Sequence, residues 1–123
     1  MHDSARHQET FRLEVSVRDG CARIRLTGDL DMSRAPRLDE AFDALCSERV
    51  STTIVDASGV SFIDCAGLRS LLTIADEMER NQGTMHVVDA SVPVRRILEL
   101  SGCELLLVAP NWLTGSPDHK ASR

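Results

Sequence analysis

Period-two alternation is the first pattern along the chain. Phe11, Leu13, Val15 and Val17 are separated by Arg12, Glu14, Ser16 and Arg18, as in a strand with one wet face. Asp19-Gly20 is a two-residue hairpin signal, after which Ala22, Ile24 and Leu26 alternate with Cys21, Arg23 and Arg25. The chain is thus predicted to open with an antiparallel hairpin. Thr27-Gly28-Asp29-Leu30-Asp31 is expected to break the second strand, and Asp31 or Ser33 can cap a helix carrying Leu38, Ala41, Phe42 and Leu45 on one face. Pro36 falls in the first turn of that helix, where a missing N–H is tolerated.

The stretch from Thr53 to Leu72 organises the rest. Thr53, Ile54 and Val55 form a β-branched run suited to a buried strand, whereas Ala57, Ser58, Gly59, Val60, Ser61 and Phe62 are small and turn-rich and read as a loop. Asp64 stands where an N-cap belongs, and Leu68, Leu71, Leu72, Ala75 and Met78 recur at helical spacing. Gly83 is placed as the C′ residue of this helix. Thr84–Val88 reads as a fourth strand. Ser91 and Pro93 open a third helix with Val94, Ile97 and Leu98 inside, Ser101-Gly102 ends it, and Leu105–Val108 reads as a fifth strand. The first ten residues and the segment TGSPDHKASR are expected to be flexible tails around a single domain at 11–110.

The order β-β-α-β-α-β-α-β predicts an α/β fold with a mostly parallel mixed sheet and right-handed crossovers. Loops that follow strands gather at one end of such a sheet, so the Gly28–Asp31 and Ser58–Cys65 segments are expected to meet there.

Composition narrows the function classes. A chain of 123 residues with 42% hydrophobic content suits one soluble domain, and a net charge of −5 gives no electrostatic reason to bind nucleic acid or an anionic membrane. No apolar run approaches the roughly 20 residues of a membrane span, and MHDSARHQET lacks a signal-peptide core, so the expected compartment is the cytoplasm. Cys21, Cys46, Cys65 and Cys103 form no C-x-x-C pair and have no histidine at ligand spacing, which predicts reduced thiols, no metal and no cofactor. A bridge between Cys65 and Cys103 would need their Cα atoms within about 7 Å. His86 reads as a satisfied strand residue, His2 and His7 as solvated, and Arg95-Arg96 with Glu99 as a wet helix face.

Three segments carry a family resemblance: LTGDLDMSRAPRL at Leu26–Leu38, VDASGVSFIDCAGLRSLL at Val55–Leu72 and SVPVRRILELSG at Ser91–Gly102. In this order and separation they resemble the STAS family, and in particular the free-standing bacterial anti-sigma factor antagonists, from about Phe11 to Val108. The resemblance implies a non-enzymatic partner-switching protein, a monomer or weak homodimer. Such an antagonist binds an anti-sigma factor that is a serine kinase with a Bergerat-type ATP site, which frees a sigma factor. Phosphorylation of a serine at the start of the second helix breaks the complex, and a phosphatase restores it.

The family motif Asp-Ser-Ser-Gly-Leu is here Asp64-Cys65-Ala66-Gly67-Leu68, so the phosphoacceptor position is Cys65. An antagonist that docks without phosphorylation at that position is the favoured reading, with a redox-responsive antagonist beside it; a helix N-terminus lowers a thiol pKa, while Asp64 opposes ionisation. Resemblance places Asp29, Asp31 and Ser33 near Cys65, and Arg69, Ser70 and Thr73 on the exposed docking side of the helix. Helix capping by Asp31 and Asp64, and a plain solvated face for the others, remain open beside those roles. A regulatory or scaffold subunit of a transport or stress-signalling assembly is a second class. An enzyme using Cys65 as nucleophile is a third, for which no base stands at defined spacing.

Overall fold

The computed structural model describes residues 11–108, so the expectations for the two tails and for the final positions of the domain lie outside the described residues. The elements are β1 (Arg12–Arg18), β2 (Cys21–Leu30), α1 (Ala35–Leu45), β3 (Thr52–Ile63), α2 (Cys65–Arg80), β4 (Thr84–Val88), α3 (Val92–Leu100), a 3₁₀ turn (Glu104–Leu106) and β5 (Leu107–Val108). Their order is the predicted one. One five-stranded sheet runs β1-β2-β3-β4-β5, antiparallel between β1 and β2 and parallel throughout the rest.

Because the parallel strands advance in one direction, right-handed crossovers place all the helices on a single face. The core matches: Ala22, Ile24, Leu26, Val55, Ala57, Met85 and Val87 from the strands form one cluster with Leu38 and Phe42 of α1, Leu71, Ile74 and Met78 of α2, and Val94 and Leu98 of α3. Burying each of the larger aliphatic side chains contributes about 1.5–3 kcal/mol, so the helix-covered face is where this small domain obtains its stability.

Several expected boundaries move. β2 is not broken at Gly28, and the expected loop at Ala57–Phe62 is strand, because β2 and β3 stay paired to Leu30 and Ile63. The register slips twice: Arg25 faces Asp56 but Thr27 faces Gly59, and Gly28 faces Val60 but Asp29 faces Phe62. Each slip leaves one extra residue in β3, a bulge. Gly28, at φ 99°, takes a conformation that a side chain would strain. The small residues therefore mark bulges in long strands and not a turn. At the first bulge the Asp56 carboxylate accepts from the Ser58 amide at 3.0 Å and its hydroxyl at 2.8 Å. At the second, the Ser61 hydroxyl donates to Asp29 Oδ1 at 3.2 Å.

Helix ends also differ in detail. After α2 the left-handed residue is Gln82, at φ 63°, and Gly83 follows it; the Gln82 and Gly83 amides donate to the Glu79 and Met78 carbonyls. Ser91 occupies the N-cap position of α3 but makes no side-chain cap bond. The predicted fifth strand begins as a 3₁₀ turn and reaches extended form only at Leu107. The buried stripe of α2 is Gly67, Ser70, Leu71, Ile74 and Met78, so Leu68 and Ala75 flank it and Leu72 is half-buried.

Candidate functional site

β3 ends at Ile63 and α2 begins at Cys65, leaving Asp64 as the single residue between them. Its extended backbone and short carboxylate make it the N-cap, and Oδ1 accepts from the Gly67 amide at 3.0 Å, as expected. Its other oxygen does something the sequence did not indicate: Oδ2 accepts from the Met32 amide at 3.1 Å. One carboxylate thus clasps the start of α2 to the turn between β2 and α1. The Asp64 amide donates to the Leu30 carbonyl at 3.4 Å, and Gly67 packs against Leu30 so closely that a Cβ there would come within 2.9 Å of Leu30 Cγ and Ile63 Cγ1. The two predicted segments do meet, at the ends of β2 and β3.

Cys65 is exposed on this helix start, with Ala66 half-buried beside it. Their amides belong to the first turn, whose N–H groups lack helical acceptors, so the surface presents outward-facing donors at the positive end of the helix dipole.

The β2–α1 turn is wound by Asp31. Its carboxylate accepts from the Ser33 amide at 3.1 Å, the Ser33 hydroxyl at 2.9 Å and the Arg34 amide at 3.2 Å, and pairs with Arg34 Nη1 at 3.0 Å. Neither Asp31 nor Ser33 is the N-cap of α1; that position is Arg34, and Asp31 acts one turn earlier through its carbonyl, which accepts from the Arg34 and Ala35 amides. Burial works to raise the Asp31 carboxyl pKa, but the Ser33 hydrogen bond, the Arg34 charge and the two amides together hold it below its ordinary value. Asp31 therefore stays anionic near the helix start.

Of the other expected contact residues, Arg69 and Thr73 are exposed and line an open groove of about 540 Å³ between α1 and α2, together with Met32, Asp39, Asp43 and Ala66. Ser70 lies at the floor of the same groove, only 4% exposed, since it continues the Gly67–Leu71–Ile74 stripe. It is removed from the exposed face. Two residues absent from the expected site are prominent instead: Met32, in the β2–α1 turn, is 72% exposed, and Phe62, next to the last residue of β3, is 50% exposed. A large apolar side chain in a segment otherwise made of turn residues was the available signal for both.

The remaining chemistry lies elsewhere. All four cysteines are free thiols, and Cys46, at the far end of the groove, has its pKa raised by burial and by the Asp43 and Glu77 charges. Asp56 is 8% exposed on the sheet face away from the helices, 3.6 Å from Arg25 Nε. No group of three or more His, Cys, Asp or Glu side chains among the described residues is close enough to hold a metal, and no helix among them is long and apolar enough to cross a membrane.

The fold recurs in known proteins. The anti-sigma-B factor antagonist of Staphylococcus aureus is 21% identical over 97 residues, covering 79% of this chain and 90% of the relative. The structure of the anti-sigma factor antagonist SpoIIAA in its unphosphorylated form superposes with a TM-score of 0.75 at 24% identity, over 90% of this chain and 96% of the other. The phosphorylated form of SpoIIAA, a Bacillus cell fate determinant, gives 0.68 at 24% identity, over 92% and 99% of the two chains. Both likenesses establish the predicted fold. The STAS domain model matches residues 12–114, and the chain belongs to the STAS domain family.

Proposed function

We propose that this protein is an anti-sigma factor antagonist that docks an anti-sigma factor of the serine-kinase type through the start of α2. The observation that carries the reading is the exposed Cys65 helix start, clasped by Asp64 to the β2–α1 turn, where Met32 is exposed. Its relatives' names point to the same activity. In this reading Met32 and Phe62 supply apolar anchors, and Asp29, Asp31, Ser33, Arg69 and Thr73 supply a polar rim around Cys65, Ala66, Gly67 and Leu68. The negative overall charge suits a basic patch on the partner.

Docking is separated from the usual off-switch. A phosphoryl group at this position would add roughly two negative charges at a packed surface, enough to break a complex. A serine kinase transfers to a hydroxyl, and Cys65 offers a thiol, so the complex persists when the kinase and ATP are present. The test is binding of the purified protein to the serine-kinase anti-sigma factors of its own genome, with and without ATP, alongside Cys65→Ser. Binding by both forms is expected, with ATP-dependent release of Cys65→Ser only. Folded protein that binds none of them refutes the docking, and a phosphoryl group mapped to Cys65 by intact and peptide mass refutes the persistence.

A further inference from the structure

The long open edge of the sheet belongs to β1. Among the described residues nothing pairs with its outer side, since the strand order ends there. Sheets usually blunt such an edge with a proline, a bulge, a short strand or charged side chains. β1 has only the last, in Arg12, Glu14 and Arg18: it runs for seven residues without proline and pairs with β2 residue for residue, without a register shift. Val15 and Val17 stand beside Ile24 and Ala22, which are fully buried, yet remain 41% and 40% exposed because the helix layer stops short of them. On the other face Glu14 and Arg18 are exposed, and neither has an ion-pair partner among the described residues.

We infer that the outer edge of β1 pairs with the same edge of a second copy, antiparallel and two-fold symmetric about Ser16. The charges select this register. Centring the pair on Glu14 sets two glutamates face to face, and centring it on Val15 sets Arg12 against Arg18. Centring on Leu13 or Val17 keeps only three strand residues of each copy paired. About Ser16, Glu14 faces Arg18 at both ends of one face, and Val15 faces Val17 twice on the other. Five residues per copy are joined, and the sheets merge into one of ten strands.

The two-fold axis reverses the strands of the second copy, so the two α2 starts lie at opposite ends of the joined sheet. Each remains open to its own partner, and the dimer is a bivalent form of the proposed antagonist. Only that last consequence rests on the proposed function; the pairing itself does not. The contact is of the small, reversible class, under about 1,200 Å² in total.

Sedimentation equilibrium of the full chain tests it, with reductant present so that the exposed Cys46 and Cys65 cannot link copies. Wild type is expected to show concentration-dependent dimers. Glu14→Arg or Arg18→Glu alone puts like charges opposite each other at both pairs and raises the dissociation constant about tenfold or more. The double swap, Glu14→Arg with Arg18→Glu, restores wild-type association, and circular dichroism confirms that every form is folded. A wild type that stays monomeric up to its solubility limit overturns the inference. So do single variants that associate like wild type, or a double variant no better than either single.

Discussion

Replacing Asp64 by alanine tests the clasp at the helix start directly. The carboxylate accepts from the Gly67 amide at 3.0 Å and from the Met32 amide at 3.1 Å, so alanine removes two hydrogen bonds through one side chain. Loss of an N-cap acceptor costs about 1 kcal/mol. The Met32 bond lies at the surface, where water replaces the lost acceptor, and contributes about 1 kcal/mol more. The expected loss is about 2 kcal/mol, or roughly 8 °C in Tm for a domain of this size. Asparagine separates the two bonds: its carbonyl oxygen caps Gly67 as well as aspartate does, but its amide nitrogen faces the Met32 N–H as a second donor. Asp64→Asn should therefore lose about 1 kcal/mol, half the alanine effect. Urea denaturation with an unchanged slope measures both, and amide exchange should accelerate at Met32 in both variants but at Gly67 only in alanine. If asparagine and alanine are equally destabilised, or alanine lies within about 0.5 kcal/mol of wild type, the double-acceptor account is wrong.

Further outcomes follow from the packing and charges. Gly67→Ala gains up to about 1 kcal/mol of helix propensity but drives a methyl group into Leu30 and Ile63, for a net loss of about 1–3 kcal/mol; a urea midpoint at or above wild type contradicts that contact. Burial holds the His86 pKa below its ordinary 6.5, so its contribution to stability is complete above that pH and is lost on acidification below it; His86→Gln should flatten the urea midpoint between pH 7.5 and 5. Burial works to raise the Asp56 pKa, yet the two Ser58 hydrogen bonds and the Arg25 and Arg23 charges bring it below 3.8, so its stabilisation is lost only as pH falls below that value. An Asp56→Asn protein whose acid unfolding matches wild type would contradict this. Met32→Ala should change stability by less than about 0.5 kcal/mol, since the side chain is largely exposed, and Phe62→Ala, at a half-buried side chain, should cost about 1 kcal/mol, while each weakens anti-sigma factor binding about tenfold. Unaltered affinity in calorimetry places the docking face elsewhere.

The element order, the hairpin and the Asp64 cap were legible because each depends on neighbours within a few residues. Strand length was not. Gly28, Ser58 and Gly59 carry turn chemistry, and a local reading ends strands at them, but the pairing of β2 with β3 over separations of about thirty residues carries both strands past their bulges. The second bond of Asp64 was hidden for the same reason, since Met32 is remote in sequence. Ser70 misled because a polar residue on a helix reads as solvent-facing, whereas here a serine is small enough to fill the stripe opened by Gly67. Exposure of Met32 and Phe62 belongs to the surface of the assembled fold, and its one local signal is a large apolar side chain among turn residues.

The ties between Leu30, Met32, Asp64 and Gly67 bear on how quickly a partner can be recognised. A helix start capped by Asp64, hydrogen-bonded to Leu30 and Met32 and packed through Gly67 on Leu30 and Ile63 has few alternative shapes to sample. Docking on it loses little conformational entropy and awaits no rearrangement on this side. Association should then proceed in a single kinetic phase whose rate scales with partner concentration, and any lag would arise from motion in the anti-sigma factor. In the proposed complex, control of lifetime would pass to the chemistry of the presented side chains, with one atom, sulfur in place of oxygen, deciding whether a kinase can dismiss it.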